Sequence, residues 1–300
     1  MIDFTLIGTA ATMPLPERAL SAAVLRWDGC TILFDCGEGT QIAARRAKVS
    51  LMKTDIIALT HYHGDHFFGL PGLLQSMDCL GRKSPLLITG PEGIEEALTP
   101  ILKLAGNLQF EIQLRTGEIH MKGATLKPFE ANHRVSAVGY VFSLPRPPKF
   151  LADKAKELGV PVKLWSKIQK SDPEAVFSFE GREIKAEELM GEKRRGLKLV
   201  FSGDTAPCES MTRAAENADL LVCDATYGED SQADLAEKYG HCTFRQAAET
   251  AAEARVRRLW LTHYSQIIKH PEEYLPEAKS IFSETECGRD GMSIKLSFED

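Results

Sequence analysis

The chain contains no apolar run long enough to cross a membrane, although 43% of its 300 residues are hydrophobic. A transmembrane helix needs about 18 or more consecutive apolar residues. The beginning of the sequence also lacks the charged segment and apolar core that mark a secretory signal. We therefore expect a soluble protein that works in the cytoplasm and has no membrane partner.

Paired cysteines are also absent. The seven cysteines are scattered along the sequence, and no Cys-x-x-Cys motif occurs. This pattern argues against a disulfide framework and against a zinc site built from thiolates. We expect the thiols to be reduced, which agrees with a cytoplasmic setting.

The chain lacks an excess of positive charge, because 36 Lys and Arg face 42 Asp and Glu, for a net charge of −6. A protein that coats nucleic acid needs a broad basic face, so this class is excluded. One stretch differs from the rest. Residues 146–170 hold seven Lys or Arg against two acidic residues, and such a segment can contact phosphates.

Ligand-type side chains are concentrated directly after the apolar run 56–59, which predicts a buried strand. They are His61, His63, Asp65 and His66. Their position at a strand end is where α/β proteins build their sites. Imidazole and carboxylate suit zinc and similar divalent ions. Since His61 and His63 can face one ion while Asp65 and His66 face another, the cluster predicts two metals.

Three later residues can complete the two ligand sets, and each follows a predicted strand. They are His133, Asp204 and His263. We expect one ion to be held by His61, His63 and His133, the other by Asp65, His66 and His263, and Asp204 to lie between them. Two such ions would share an activated water for hydrolysis. His120 and His270 have no comparable neighbours, and we expect both at the surface.

Hydrophobic periodicity outlines the elements of the fold. Strands are predicted at 4–7, 23–27, 31–34, 56–59, 86–89, within 108–129, and at 138–143, 197–201, 220–223 and 258–261. Helices are predicted at 70–80, 94–104 and 243–255. Residues 145–196 differ, because they are rich in proline and charge and show core periodicity only at 151–158. We expect an inserted arm there, within a single domain spanning 1–300.

A weak internal repeat predicts the architecture. The segment ALTHY at 58–62 is echoed by WLTHY at 260–264. Two similar halves, each a sheet covered by helices, would bring both strand ends to one edge. This predicts an α/β fold with four layers, an αβ/βα sandwich, although a short chance echo is the alternative.

Distinctive motifs are spread over nearly the whole chain. They are DCGEGTQ at 35–41, HYHGDH at 61–66, FGLPGL at 68–73, HR at 133–134, SGDT at 202–205, GHCT at 240–243 and THYS at 262–265. Together they resemble the ribonuclease Z family, the tRNA 3′-processing endonucleases of the metallo-β-lactamase superfamily. The HxHxDH pattern alone marks only the superfamily, whereas the flanking motifs are specific to this branch.

The resemblance implies a zinc-dependent endoribonuclease that removes 3′ trailers from tRNA precursors. Two Zn²⁺ ions would activate a hydroxide, although Mn²⁺ or another divalent ion would also suit these ligands. Asp65 would orient the nucleophile or accept its proton, and His241 would assist the leaving ribose oxygen. The family pairs that histidine with the glutamate of a HEAT motif. Here CDAT stands at 223–226, so we expect the shorter Asp224 to pair with His241.

Residues 145–196 resemble in position and length the arm with which bacterial members bind tRNA. The Gly-Pro-Leu motif of that arm is replaced by KLW at 163–165, and we expect Trp165 to pack rather than to stack on a base. The lysines expected to contact the substrate backbone are Lys149, Lys154, Lys163 and Lys167. A solvated charged excursion is the alternative. The resemblance further implies a homodimer, with precursor tRNA as the partner.

Two other functions fit the residues. One is hydrolysis of small or cyclic-nucleotide phosphodiesters on the same fold, which the altered arm and HEAT motifs leave open. The other is a metal-binding relative that has lost catalysis and serves as a scaffold. The complete ligand set and His241 argue against that second alternative.

Overall fold

Two seven-stranded sheets form most of the computed structural model, which describes residues 1–179 and 181–299. The strands of the first sheet are β1 (Ile2–Gly8), β2 (Ala22–Trp27), β3 (Cys30–Phe34), β4 (Ile56–Ala58), β5 (Leu86–Thr89), β6 (Ile112–Arg115) and β16 (Ser293–Leu296). Their order is β16-β1-β2-β3-β4-β5-β6. Strands β3 to β6 are parallel, and the remaining neighbours pair antiparallel.

The second sheet repeats this plan. Its strands are β7 (Ile119–Met121), β8 (Ala124–Glu130), β9 (Val138–Arg146), β12 (Arg194–Phe201), β13 (Leu220–Asp224), β14 (Leu259–Thr262) and β15 (Thr285–Cys287). Their order is β15-β14-β13-β12-β9-β8-β7. Strands β12 to β15 are parallel, whereas β7, β8 and β9 form an antiparallel meander.

Ten α-helices accompany these strands in the described part of the chain. They are α1 (Thr40–Arg46), α2 (Gly64–Phe67), α3 (Leu70–Cys79), α4 (Ile94–Ala105), α5 (Ala152–Glu157), α6 (Val162–Gln169), α7 (Glu209–Ala215), α8 (Ala233–Tyr239), α9 (Phe244–Glu253) and α10 (Leu275–Ile281). Single 3₁₀ turns lie at Ala186–Leu189, Asp230–Gln232 and Pro271–Glu273. Within residues 1–179 and 181–299, none of the helices has the length and apolar character needed to span a membrane.

Each sheet buries one face against its own helices. Leu73 of α3 and Leu98 of α4 share a core with Ile57 of the first sheet. Ala248 of α9 shares another core with Leu221 of the second sheet. The apolar residues recur at helical spacing on one face of each helix, so burial of that face holds the helix on its sheet.

The other faces of the two sheets pack on each other through aromatic side chains. The rings of Phe34 and Phe201 stack with centroids 5.1 Å apart, and Phe4 lies 6.1 Å from Trp260. All four side chains are at most 3% exposed. Since helices cover the outer face of each sheet, the layers run helix, sheet, sheet, helix. The predicted four-layered α/β sandwich is confirmed.

Residues 144–179, 181–197 and 298–299 belong to a second compact unit. It contains α5, α6 and an antiparallel hairpin of β10 (Val176–Phe179) and β11 (Arg182–Lys185). Its small core includes the buried residues Ala155, Val160, Ile168, Ile184 and Leu189. The role of residues 145–196 as a substrate-binding arm stays a prediction.

The expectation that core periodicity in this segment is limited to 151–158 is wrong. Helix α6 turns Leu164, Trp165 and Ile168 towards the small core. Its eight residues give only two turns of apolar pattern amid dense charge, so the signal is weak. Trp165 packs as expected, because its ring lies 5.4 Å from that of Phe150 and its Nε1–H donates to the Val160 carbonyl at 2.9 Å.

Thr243 caps helix α9 directly after the segment that carries His241. Its Oγ1 accepts a hydrogen bond from the Gln246 backbone N–H at 3.1 Å. The Gln246 side chain accepts one in return from the Thr243 backbone N–H at 2.9 Å. This reciprocal pair is a capping box, and it satisfies two backbone donors at the helix start.

Removing this cap should weaken the fold by a measurable amount. Thr243→Ala should lower the free energy of unfolding by about 1 kcal/mol, because the partly buried Gln246 N–H loses its acceptor. Thr243→Ser retains the hydroxyl and should stay near the wild type. Urea unfolding followed by circular dichroism measures both, and equal midpoints for wild type and Thr243→Ala would contradict the cap's contribution.

Candidate metal centre and active site

The first predicted ligand set lies together in the structure. The Nε2 atom of His61 is 2.9 Å from Nδ1 of His63, which is 3.3 Å from Nε2 of His133. Ligand atoms bound at 2.0–2.1 Å to one tetrahedral ion lie about 3.4 Å apart. The three nitrogens are therefore spaced to share an ion.

The second predicted set is equally close. The Oδ2 atom of Asp65 is 3.5 Å from Nε2 of both His66 and His263. Those two nitrogens are 3.2 Å apart. All three side chains thus direct one ligand atom at a common point, as a divalent ion requires.

Asp204 lies between the two sets. Its Oδ2 is 3.7 Å from Nε2 of His61, and its Oδ1 is 3.3 Å from Nε2 of both His66 and His263. Within the described residues, Oδ1 is buried and accepts no well-formed hydrogen bond. A buried carboxylate oxygen left without a donor is costly. This orphaned oxygen fits a divalent cation, so the residues present are suited to hold metal.

Strand ends position these ligands. Asp204 follows β12, and its neighbour Gly203 has φ +61°, a left-handed conformation. A Cβ at Gly203 would meet the Thr60 side chain at 2.7 Å. Glycine thus permits the β12 loop to approach the loop after β4, which carries the cluster 61–66. His263 comes directly after β14, so both sheets deliver ligands to one edge.

Burial keeps the first set in the form that binds metal. It lowers the pKa of His61 well below the ordinary value, and it also lowers the pKa of His63 and His133. Neutral imidazoles have a free lone pair for a divalent ion.

The second set has an acidic surrounding. Burial alone would lower the pKa of His66. The nearby carboxylates of Asp204 and Asp35 raise it by more than burial lowers it, so the pKa lies well above the ordinary value. Burial likewise raises the pKa of Asp204, but His263 and His66 hold it well below its usual range. These groups favour positive charge at this position, whether a proton or a metal ion carries it.

Outer partners orient two of the ligands. The Nδ1–H of His66 donates to Asp35 Oδ2 at 2.8 Å, and the Nδ1–H of His133 donates to the Gly240 carbonyl at 2.8 Å. Each contact leaves Nε2 directed inward. Asp35 also accepts a hydrogen bond from the Thr60 backbone N–H at 2.8 Å. Asp35 itself is fully buried and has a left-handed φ of +53°.

Asp35 orients a ligand, a role that its motif in the sequence did not predict. A signal was available, because Asp35 is a carboxylate directly after the predicted strand 31–34, as Asp204 is after 197–201. Thr226 was missed as well, since a threonine next to a strand is common.

Asp224 and His241 form a pair beside the second set. Asp224 Oδ2 is 2.7 Å from His241 Nδ1, even though aspartate is shorter than the family's glutamate. Burial lowers the pKa of His241, but the Asp224 carboxylate raises it more, to about 9. The imidazole is therefore protonated at neutral pH and can donate a proton. The catalytic roles of the two residues stay predictions.

A cavity of about 400 Å³ opens over these groups. Its wall includes His63, Asp65, His133, Asp204, His241 and His263, and its remaining lining includes Thr12, Arg134, Tyr227, Tyr239 and Ser265. The guanidinium of Arg134 lies 5.4 Å from the centre of the Tyr239 ring. The cavity thus joins the predicted metal ligands, a protonated imidazole, a cation and two aromatic rings.

Other candidate residues lie outside this centre. His120 and His270 are exposed, as expected. Lys149, Lys154, Lys163 and Lys167 are all exposed within the second compact unit. Exposed ammonium groups are available to phosphates, although a contact with substrate stays a prediction.

The fold and the ligand sets define the class of protein. A family model described as the metallo-beta-lactamase superfamily matches residues 16–164. A second, described as a beta-lactamase superfamily domain, matches residues 182–264. The chain is therefore a metal-dependent hydrolase of the metallo-β-lactamase fold.

Its relatives define the family more closely. The ribonuclease Z of Lachnospira eligens is 38% identical over 100% of this chain and 99% of its own. The ribonuclease Z of Clostridium tetani is 39% identical over 100% of both chains. The crystal structure of human tRNase Z, short form, is 27% identical, covers 99% of this chain and 100% of its own, and superimposes with a TM-score of 0.69. The chain belongs to the ribonuclease Z family, which confirms the predicted family and enzyme class.

The first ligand set can be tested by its metal content. His61→Ala removes a buried ligand, so the purified protein should hold about one equivalent of metal less than wild type. His270→Ala, at an exposed histidine, is the matched control and should retain the wild-type content. Elemental analysis after dialysis measures both. Full metal content in His61→Ala would show that His61 is not a ligand.

Proposed function

We propose that the chain is a zinc-dependent endoribonuclease that removes 3′ trailers from tRNA precursors. The observation that carries this proposal is the position of Asp204 between two ligand sets, beside a paired Asp224 and His241 and under one cavity. The names of the full-length relatives, ribonuclease Z, support this substrate.

The first set and the second set would each hold one Zn²⁺, with Asp204 shared between them. Zinc fits imidazole and carboxylate ligands, and Mn²⁺ or another divalent ion is the alternative that availability decides. Bound there, two ions would activate water and stabilise charge on the phosphoryl oxygens.

The chain's own groups supply the remaining chemistry. Asp65 would orient the nucleophile, and His241 would give a proton to the leaving 3′ oxygen. Asp224 holds that imidazole in its charged form, 2.7 Å away. Arg134 lines the cavity and would bind a phosphate oxygen, and the rings of Tyr227 and Tyr239 offer faces for bases.

Recognition of the rest of the substrate is assigned to residues 145–196. Their four exposed lysines would contact the tRNA backbone. We also propose a homodimer as the active form and the cytoplasm as its setting, which suits the seven free thiols.

A labelled precursor tRNA tests the substrate directly. Incubation with the zinc-loaded protein should release the trailer by one cut just after the discriminator nucleotide. Activity on small phosphodiesters alone would instead favour the alternative, a small-molecule or cyclic-nucleotide phosphodiesterase. If the protein binds two ions but cleaves neither substrate, the proposed hydrolytic activity would be contradicted.

The arm lysines should separate the two substrates. Changing Lys149, Lys154, Lys163 and Lys167 together to Ala should weaken precursor tRNA cleavage by about tenfold or more, because several phosphate contacts are lost. Hydrolysis of bis(p-nitrophenyl) phosphate should not change. The control variant changes four exposed lysines outside this segment: Lys83, Lys103, Lys279 and Lys295. Equal losses on both substrates would contradict a separate binding role.

The Asp224–His241 pair predicts the pH above which the rate of the reaction falls. His241 has its pKa raised to about 9, so the proton donor is present below that pH and is lost as the pH rises through it. Asp224→Asn removes the charge that raises the pKa, so the rate should begin to fall at lower pH, and turnover at pH 8 should fall about tenfold or more.

A matched variant separates this effect from general damage. Asp219→Asn changes another buried carboxylate, at the opposite end of β13. The pH profile of precursor tRNA cleavage is measured for both, together with metal content, which should stay at the wild-type level. An unshifted profile in Asp224→Asn would contradict the proton-donor role of His241.

A further inference from the structure

The hydroxyl of Thr226 lies among three groups of the active site. Thr226 follows β13 and is 6% exposed. Its Oγ1 is 2.7 Å from Asp224 Oδ1, 3.0 Å from His263 Nδ1 and 3.2 Å from His241 Nδ1. A single oxygen therefore contacts the second metal set and the Asp224–His241 pair at once.

The hydroxyl has one proton to donate, which decides its partners. Asp224 Oδ1 at 2.7 Å and the His263 carbonyl at 3.0 Å compete for it. The carboxylate is closer and charged, so it receives the proton. The lone pairs of Oγ1 are then free to accept from an imidazole N–H.

His263 is the imidazole that these lone pairs serve. His241 Nδ1 already donates to Asp224 Oδ2 at 2.7 Å, a shorter and charge-assisted bond. His263 Nδ1–H donates to Thr226 Oγ1 at 3.0 Å. This fixes the tautomer of His263, whose Nε2 is left to face Asp65 and Asp204.

The same arrangement occurs at the other oriented ligands, with a different acceptor. His66 donates to the carboxylate of Asp35, and His133 donates to the Gly240 carbonyl. His263 has a left-handed φ of +62° and depends on a hydroxyl. A hydroxyl is a weaker acceptor than a carboxylate, and its bond to Asp224 strengthens it.

We propose that the Thr226 hydroxyl is the positioning group for His263, and that through it Asp224 serves both the metal ligand and the proton donor. This role rests on the metal centre of the proposed function. Thr226 also lines the cavity, but the contacts that carry this role are those to Asp224 and His263. It acts by holding an imidazole in the orientation and tautomer that bind metal.

Zinc affinity of the full chain tests this role without any substrate. Zinc is titrated into the metal-free protein against a chromophoric chelator, which resolves the two dissociation constants. Thr226→Val replaces the hydroxyl with a methyl of similar size. It should weaken the binding of one of the two zinc ions about 10–100-fold. Thr226→Ser retains the hydroxyl and should bind both ions within about threefold of wild type.

Two further variants keep the test decisive. Thr226→Ala also lacks the hydroxyl and gives the same expectation if Thr226→Val does not fold. Thr250→Val removes another buried hydroxyl, bonded to the Gln246 carbonyl at 3.0 Å within α9, and should leave both affinities unchanged.

The possible results separate this inference from the proposed function. If wild type and the variants without the hydroxyl all bind two zinc ions with the same high affinity, the role of Thr226 would be overturned and the metal centre would stand. Loss of affinity in Thr226→Ser equal to that in Thr226→Val would also overturn it, because the hydroxyl would not be the cause. Fewer than two zinc ions in wild type would overturn both the metal centre and this role.

Discussion

The buried charge of the Asp204 carboxylate governs how the side chains around it are arranged. It is 3% exposed, ionised, and within 3.3–3.7 Å of imidazoles from both ligand sets. A buried charge of this kind is tolerated only when cations or several donors surround it. The sandwich meets this requirement by bringing loops from both sheets to one edge, so that a single carboxylate can serve two ions.

The layered packing holds the two strand ends of this edge together. The parallel strands β3 to β6 and β12 to β15 end beside each other, and the aromatic contact of Phe34 with Phe201 locks the two sheets together just behind the ligands. Outer partners then fix the imidazoles. Asp35 is held by the Thr60 backbone and in turn holds His66, so two hydrogen bonds fix the orientation of this imidazole.

Much of this arrangement could be predicted from the sequence. The rest could not, and the physical reasons can be named. Strand-end ligands such as His61 and His263 follow apolar runs, so both their positions and their grouping could be predicted. The role of Thr226 could not, because a hydroxyl has no periodic signal and its importance depends on three atoms from distant segments. The small core around Ile168 was also missed, since two helical turns amid dense charge carry too little pattern.

The replacement of the family's glutamate by Asp224 leaves the contact with the histidine intact. Asp224 is shorter than glutamate but still reaches His241. The proposal that Asp204 joins two ions in one hydrolytic centre can be tested by anomalous diffraction at the zinc edge from zinc-loaded crystals. We expect two peaks about 3.5–4 Å apart, one on each side of Asp204. A single peak, or two peaks of which neither lies against Asp204, would contradict it.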